Sequence, residues 1–171
     1  MKTKIIKNSS VFIKLLNNYE NYFKGRKDLC VYDFHHMLMF DDVVKYKDVI
    51  TIELNDGSYI RFGQGDKPNQ LEISTISVQS KNRNKGYGTF LIKQMFTFIY
   101  ETIGFIPSFM LECTGSLNFD FTSIKDQTKF FRKFGFRATS KKGYPYYVKM
   151  EIDFAKISLI DITNNTYRTA S

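Results

Sequence analysis

The feature that most constrains this chain is a change of period at Val78. Leu71 to Val78 is rich in Ile, Thr and Val and reads as a strand. Gln79 to Gly86 is polar and basic, and Tyr87, Leu91, Met95, Phe98 and Thr102 then fall on one helical stripe that Gly104 and Pro107 close. Strand, basic loop and helix follow one another without a spacer. A helix start presents unpaired N–H groups and the positive end of its dipole, and glycine lets a bulky anion approach that backbone. Gly86 and Gly88 sit there, with Arg83 and Lys85 adding mobile positive charge. The expectation is a phosphate-binding loop; the alternative is a tight turn carrying a solvated charge run of Lys81, Arg83 and Lys85. Neither GxxxxGK[ST] nor GxGxxG is present, so an ATPase and a Rossmann dehydrogenase both lose their main support.

Around this unit the patterns alternate between helix and strand. Residues 9–24 read as an amphipathic helix capped by Ser9 or Ser10 and stopped by Gly25. Residues 29–47 leave a second helix and a short strand both open. Ile50, Ile52 and Leu54 alternate with polar residues before the turn residues Asn55, Asp56 and Gly57, then Tyr59 to Phe62, a hairpin. Phe109 to Cys113 reads as a strand. Thr122 or Ser123 caps a helix ending at Gly135, with Phe136 packing back, and Tyr146 to Phe154 reads as a strand with one wet face. The order implies a twisted mixed sheet with helices on its faces. The tail after Lys156 adds a strand or frays.

The 171 residues fit a single domain, residues 1–171. The formal net charge of +8 favours anionic partners, phosphate or nucleic acid. Cys30 and Cys113 make no disulfide framework, no Cys/His spacing marks a metal site, and no leader or membrane-spanning run is evident, so a cytoplasmic chain is expected. His35 and His36 lie far from the loop and read as solvent or packing residues.

At the loop the sequence resembles the GNAT family of acetyl-CoA-dependent N-acetyltransferases. Arg83, Gly86 and Gly88 match its (Q/R)xxGx(G/A) signature at the family's spacing from Val78. Phe130 to Phe136 resembles its second signature, an aromatic helix end closing on Gly-Phe. From Glu72 to Leu91 the chain is most similar to the histone acetyltransferase branch, through Glu72, Ile73, Lys85, Gly86, Tyr87, Gly88, Thr89 and Leu91. The resemblance implies an α+β fold with a twisted mixed, mainly antiparallel sheet and helices on both faces. It also implies acetyl-CoA as cosubstrate and an amine as acceptor. The coenzyme would meet Arg83, Asn84, Lys85, Gly86, Tyr87, Gly88 and Thr89 through its pyrophosphate, Ile76, Ser77 and Val78 along its pantetheine, and Phe131.

An attacking amine must lose a proton, and the resemblance points to Glu72 as the base; otherwise Glu72 is a strand residue paired with a lysine. Phe131 stands where many family members carry a tyrosine as general acid, and Tyr144, Tyr146 and Tyr147 are the nearby substitutes. Cys113 reads as a buried strand thiol. The competing expectation is a basic RNA- or polyanion-binding module without transferase activity, with an aminoacyl-tRNA acetyltransferase between the two. Acceptor identity and oligomeric state, a homodimer among the options, stay open.

Overall fold

The computed structural model describes residues 10–40, 43–114, 123–139 and 147–152. Ser10 opens the first described helix, its hydroxyl accepting from the Ile13 N–H at 3.3 Å. The expected single helix over 9–24 is two, α1 (Val11–Leu16) and α2 (Tyr19–Phe23). The break falls at Asn17 and Asn18, where the Asn18 side-chain amide donates to the Lys14 carbonyl at 2.7 Å and competes with the helix ladder.

β1 (Leu29–Phe40) and β2 (Val43–Leu54) form a long antiparallel pair, in register from Leu29 opposite Leu54 to Phe40 opposite Val43. Apart from residues 41 and 42, which lie outside the described residues, the stretch with two open readings is therefore strand, held by cross-strand pairing rather than by a period of its own. β3 (Tyr59–Gln64) follows the expected turn, in which Gly57 N–H donates to the Leu54 carbonyl at 2.9 Å. Then come β4 (Gln70–Ser77), α3 (Tyr87–Ile103), β5 (Ser108–Thr114), α4 (Ile124–Arg132), the two-residue β6 (Arg137–Ala138) and β7 (Tyr147–Ile152).

The strands form one mixed sheet in the order β1-β2-β3-β4-β5-β7-β6, antiparallel at every step except β4 beside β5. That is the mainly antiparallel α+β architecture expected. The parallel step is the β4-α3-β5 crossover, and α3 carries the core with it. Its Leu91, Met95 and Phe98 are fully buried, with Ile50, Ile52, Ile60, Phe62 and Leu71 from the sheet. Phe98 meets Tyr22 at 5.0 Å, Phe23 at 5.1 Å and Phe62 at 6.4 Å between ring centroids, so α2 and α3 share one face of the sheet. Tyr22 also donates to the Glu101 carboxylate. No helix among the described residues is long and apolar enough to cross a membrane.

Truncating Phe98 removes the ring on which α2, α3 and β3 converge. Phe98→Ala should lower the unfolding free energy by about 3–5 kcal/mol, measured by urea denaturation.

Candidate active site

The site begins where two parallel strands part. β4 and β5 pair only from Gln70 opposite Ser108 to Ile73 opposite Leu111. Beyond that point β4 runs on to Ser77 against β3, and β5 runs on to Thr114 against β7. Its cause is local. The β3–β4 register shifts between Arg61 and Phe62, where Thr75 opposes Arg61 and Ile73 opposes Phe62, leaving Ser74 unmatched. A bulge bends its strand and ends regular pairing. The Ser74 hydroxyl donates to the Arg61 carbonyl at 3.3 Å, which fixes the extra residue. A wedge opens with half-buried Thr75, Ile76 and Ser77 along one wall. Main-chain polar groups on that wall that face away from β3 have no ladder with β5 and are available to a ligand.

The wedge leads directly into the loop. After Val78 a single 3-10 turn, Ser80–Asn82, brings the chain to Asn84, which takes a left-handed conformation at φ 60°. Gly86, at φ 88°, is the residue before α3 and has no side chain to cap it. The left-handed region costs a residue with a Cβ about 1–2 kcal/mol, so glycine suits this position. The first helical bond runs from the Phe90 N–H to the Gly86 carbonyl at 2.9 Å. The N–H groups of Tyr87, Gly88 and Thr89 precede it and have no place in the helix ladder. The first turn of α3 contains no acidic residue. This end of α3 suits an anion. Arg83 is not the mobile charge expected, because its Nε donates to the Val78 carbonyl at 3.2 Å; Lys81 and Lys85 are exposed.

A second element holds the loop in place, and sequence reading missed it. Asp56, in the β2–β3 turn, accepts from the Asn82 side-chain amide at 2.6 Å, the Ser58 hydroxyl at 2.8 Å and the Ser58 N–H at 2.9 Å. The buried Ser58 hydroxyl in turn accepts from the Gln79 N–H at 3.1 Å. Burial alone would raise the Asp56 pKa, but the hydrogen bonds from Ser58 and Asn82 outweigh it and hold the carboxyl below its ordinary value of 3.8. The Asx turn onto Ser58 is legible locally. The reach to Asn82, in another segment, is not.

The third side is α4. Ser123 caps it, accepting from the Asp126 N–H at 3.1 Å. At its other end the Gly135 N–H donates to the Arg132 carbonyl and the Phe136 N–H to the Phe131 carbonyl, the paired bonds of a Schellman close. Phe136 packs on Phe131, ring centroids 5.6 Å apart, as the Gly-Phe ending suggested. Phe131 is buried in the core, 5% exposed. The ring that reaches the loop is its neighbour Phe130, whose edge lies 3.1 Å from where a Cβ on Gly88 would stand. Gly88 thus permits a close approach of α4 to the start of α3.

Glu72 lies at the closed end of the wedge, one residue before the last β4–β5 pair and opposite Met110. It is paired with a lysine: Lys47 of β2 donates to the Glu72 carboxylate. Cys113 is a buried thiol whose pKa burial pushes up to about 11, which removes it as a nucleophile near neutrality. Among the described residues no group of His, Cys, Asp and Glu could hold a metal ion. His35 and His36 are placed on β1. Tyr144, Tyr146, the segment 115–122 and the tail from residue 153 lie outside the described residues.

No family model matches the chain, and no curated protein does. Solved structures similar to it include several acetyltransferases. Ard1 from Thermoplasma volcanium is 17% identical over 61% of this chain and 68% of its own, with a TM-score of 0.46. Arabidopsis thaliana Naa50, crystallised with a bisubstrate analogue, is 19% identical over 62% and 72%, with a TM-score of 0.44. The PaiA N-acetyltransferase of Thermoplasma acidophilum, in complex with coenzyme A, is 14% identical over 60% and 58%, with a TM-score of 0.44. TM-scores below 0.5 decide nothing about function, which rests on the geometry above.

Asp56 gives this geometry a pH signature. Its folded pKa lies below the unfolded value, so its contribution is complete above about 3.8 and fades as pH falls through the folded pKa. Asp56→Ala should cost about 1–3 kcal/mol of stability at pH 7. The gap between variant and parent should narrow in acid, read from urea unfolding at a series of pH values.

Proposed function

We propose that the chain is a GNAT-type N-acetyltransferase that uses acetyl-CoA and passes the acetyl group to a primary amine by direct attack. One observation carries this reading: the wedge between β4 and β5 runs without interruption into a helix start whose amides lie open behind a left-handed glycine. A slot lined by main chain that ends in an anion site suits a long, polar thioester carrying a diphosphate.

Each part of the chain then has a task. The N–H groups of Tyr87, Gly88 and Thr89 hold the pyrophosphate, with Lys85 supplying charge and Asn84 and Arg83 shaping the turn. The main chain of Ile76, Ser77 and Val78 pairs with the pantetheine arm as an added strand would. An N–H on the same wall polarises the acyl carbonyl, so that negative charge developing on its oxygen meets a fixed donor. Glu72, at the floor of the wedge, takes the proton that an alkyl ammonium must lose before it attacks. Phe131 donates no proton and faces the core, so it contributes packing, and the departing thiolate is protonated from water. The similarity of the Glu72 to Leu91 stretch to the histone acetyltransferase branch supports the same assignments for Glu72 and the loop.

Two substitutions separate binding from chemistry. Gly86→Asp places a Cβ and a negative charge at the left-handed helix start, and acetyl-CoA binding should fall below detection in calorimetry; unchanged affinity would remove the loop from the mechanism. Glu72→Gln should keep coenzyme affinity and lower the rate of thiol release with an amine acceptor by roughly 10²-fold or more. A panel of polyamines, aminoglycosides, lysine peptides and aminoacyl-tRNA, read by thiol release, identifies the acceptor class.

A further inference from the structure

We infer that Lys47 is an internal acceptor: supplied with acetyl-CoA, the chain acetylates its own Lys47 Nζ. This inference rests on the transferase reading above and adds a modification site to it. A general base works only within hydrogen-bond reach of the proton it removes. A nitrogen already bonded to Glu72 therefore stands where an acceptor nitrogen has to stand, and Lys47 Nζ is bonded to Glu72 Oε2.

The surroundings explain how the lysine gets there. Lys47 and Glu72 belong to β2 and β4, with β3 between them, and they meet on the sheet face opposite α3. Glu72 is opposite Gly63 in register, and Gly63 is opposite Val49, two residues from Lys47. A Cβ on Gly63 would already lie 2.7 Å from the Asp48 carbonyl, so no side chain at this position separates the lysine from the carboxylate. The Lys47 and Glu72 side chains are only 26% and 24% exposed, which holds the pair in one place. Two other cations on this face are engaged differently. Lys149 pairs with Asp66 at 3.5 Å and with Glu151 at 3.8 Å, and the Arg61 guanidinium, which is no nucleophile, lies between the rings of Phe34 and Tyr59.

The transfer balances. The Lys47 ammonium gives one proton to Glu72, and the free amine attacks the thioester carbonyl carbon. The N–C bond forms, the C–S bond breaks, and the proton shed by nitrogen as the adduct collapses passes through water to the thiolate, releasing coenzyme A as its thiol. Glu72 returns its proton to solvent. The amide left on Lys47 is uncharged, so the reaction also dissolves the ion pair and frees the carboxylate for other acceptors.

Intact-mass spectrometry of the purified chain after incubation with acetyl-CoA, followed by peptide mapping, tests this. One acetyl group at Lys47 is expected, formed at a first-order rate that does not change on dilution of the protein. Lys47→Arg, which keeps the charge beside Glu72, should lose it, Glu72→Gln should slow it roughly 10²-fold or more, and Gly86→Asp should abolish it. Acetyl groups scattered over exposed lysines and equal in Gly86→Asp would be chemical background and would overturn the inference. Calorimetry on the same preparation keeps the two levels apart. Absent acetyl-CoA binding would defeat the transferase reading itself. Binding and turnover of an added amine with Lys47 unmodified would defeat only the self-acetylation.

Discussion

The whole arrangement depends on one irregularity, the unmatched Ser74. Parallel strands β4 and β5 keep their ladder for four residues, and the bulge against β3 falls at the residue where they separate. Had β4 continued in register, its main chain would have been consumed by β5 and the sheet would have presented no wedge. Because the bend occurs inside the sheet, the open main-chain groups lie among half-buried residues rather than on a solvated edge, where a hydrogen bond to a ligand competes less with water.

A wedge of this kind needs support, since strands that diverge invite refilling by side chains. Three elements supply it. The β2–β3 turn grips the loop through Asp56 and Ser58, α4 closes on itself through Phe131 and Phe136 and lays Phe130 over Gly88, and α3 is anchored in the core through Leu91, Met95 and Phe98. The end of the wedge that suits an anion is thus built on a buried helix. On the face away from α3, Glu72 and Lys47 place a carboxylate and an amine together at the wedge floor.

How much of this was legible follows from how local each signal is. The unit from Gln70 to Ile103 was readable because strand alternation, glycines and helical stripe are each written within a few residues, and the structure places every boundary within a residue or so. The caps were readable to within one residue, Ser9 or Ser10 and Thr122 or Ser123, and the Gly135–Phe136 close was readable for the same reason. Residues 29–40 were not, since their strand character depends on β2. The split of the first helix turned on one Asn side chain competing for one carbonyl. Asp56 looked like ordinary turn chemistry, and nothing near it in sequence announces Asn82. Between Phe130 and Phe131 the pattern marked the right turn of helix, but the phase that sends one ring to the loop and the other to the core is set by the docking of α4 on β5 and β7.

Hydrogen–deuterium exchange with and without acetyl-CoA addresses the central claim most directly, because it reads the main-chain amides themselves. The account predicts new protection concentrated at Tyr87 to Thr89 and along Thr75 to Val78, with little change at the Asp56 turn, which is already bonded. Protection confined to another part of the chain, or none at saturating coenzyme, would contradict it.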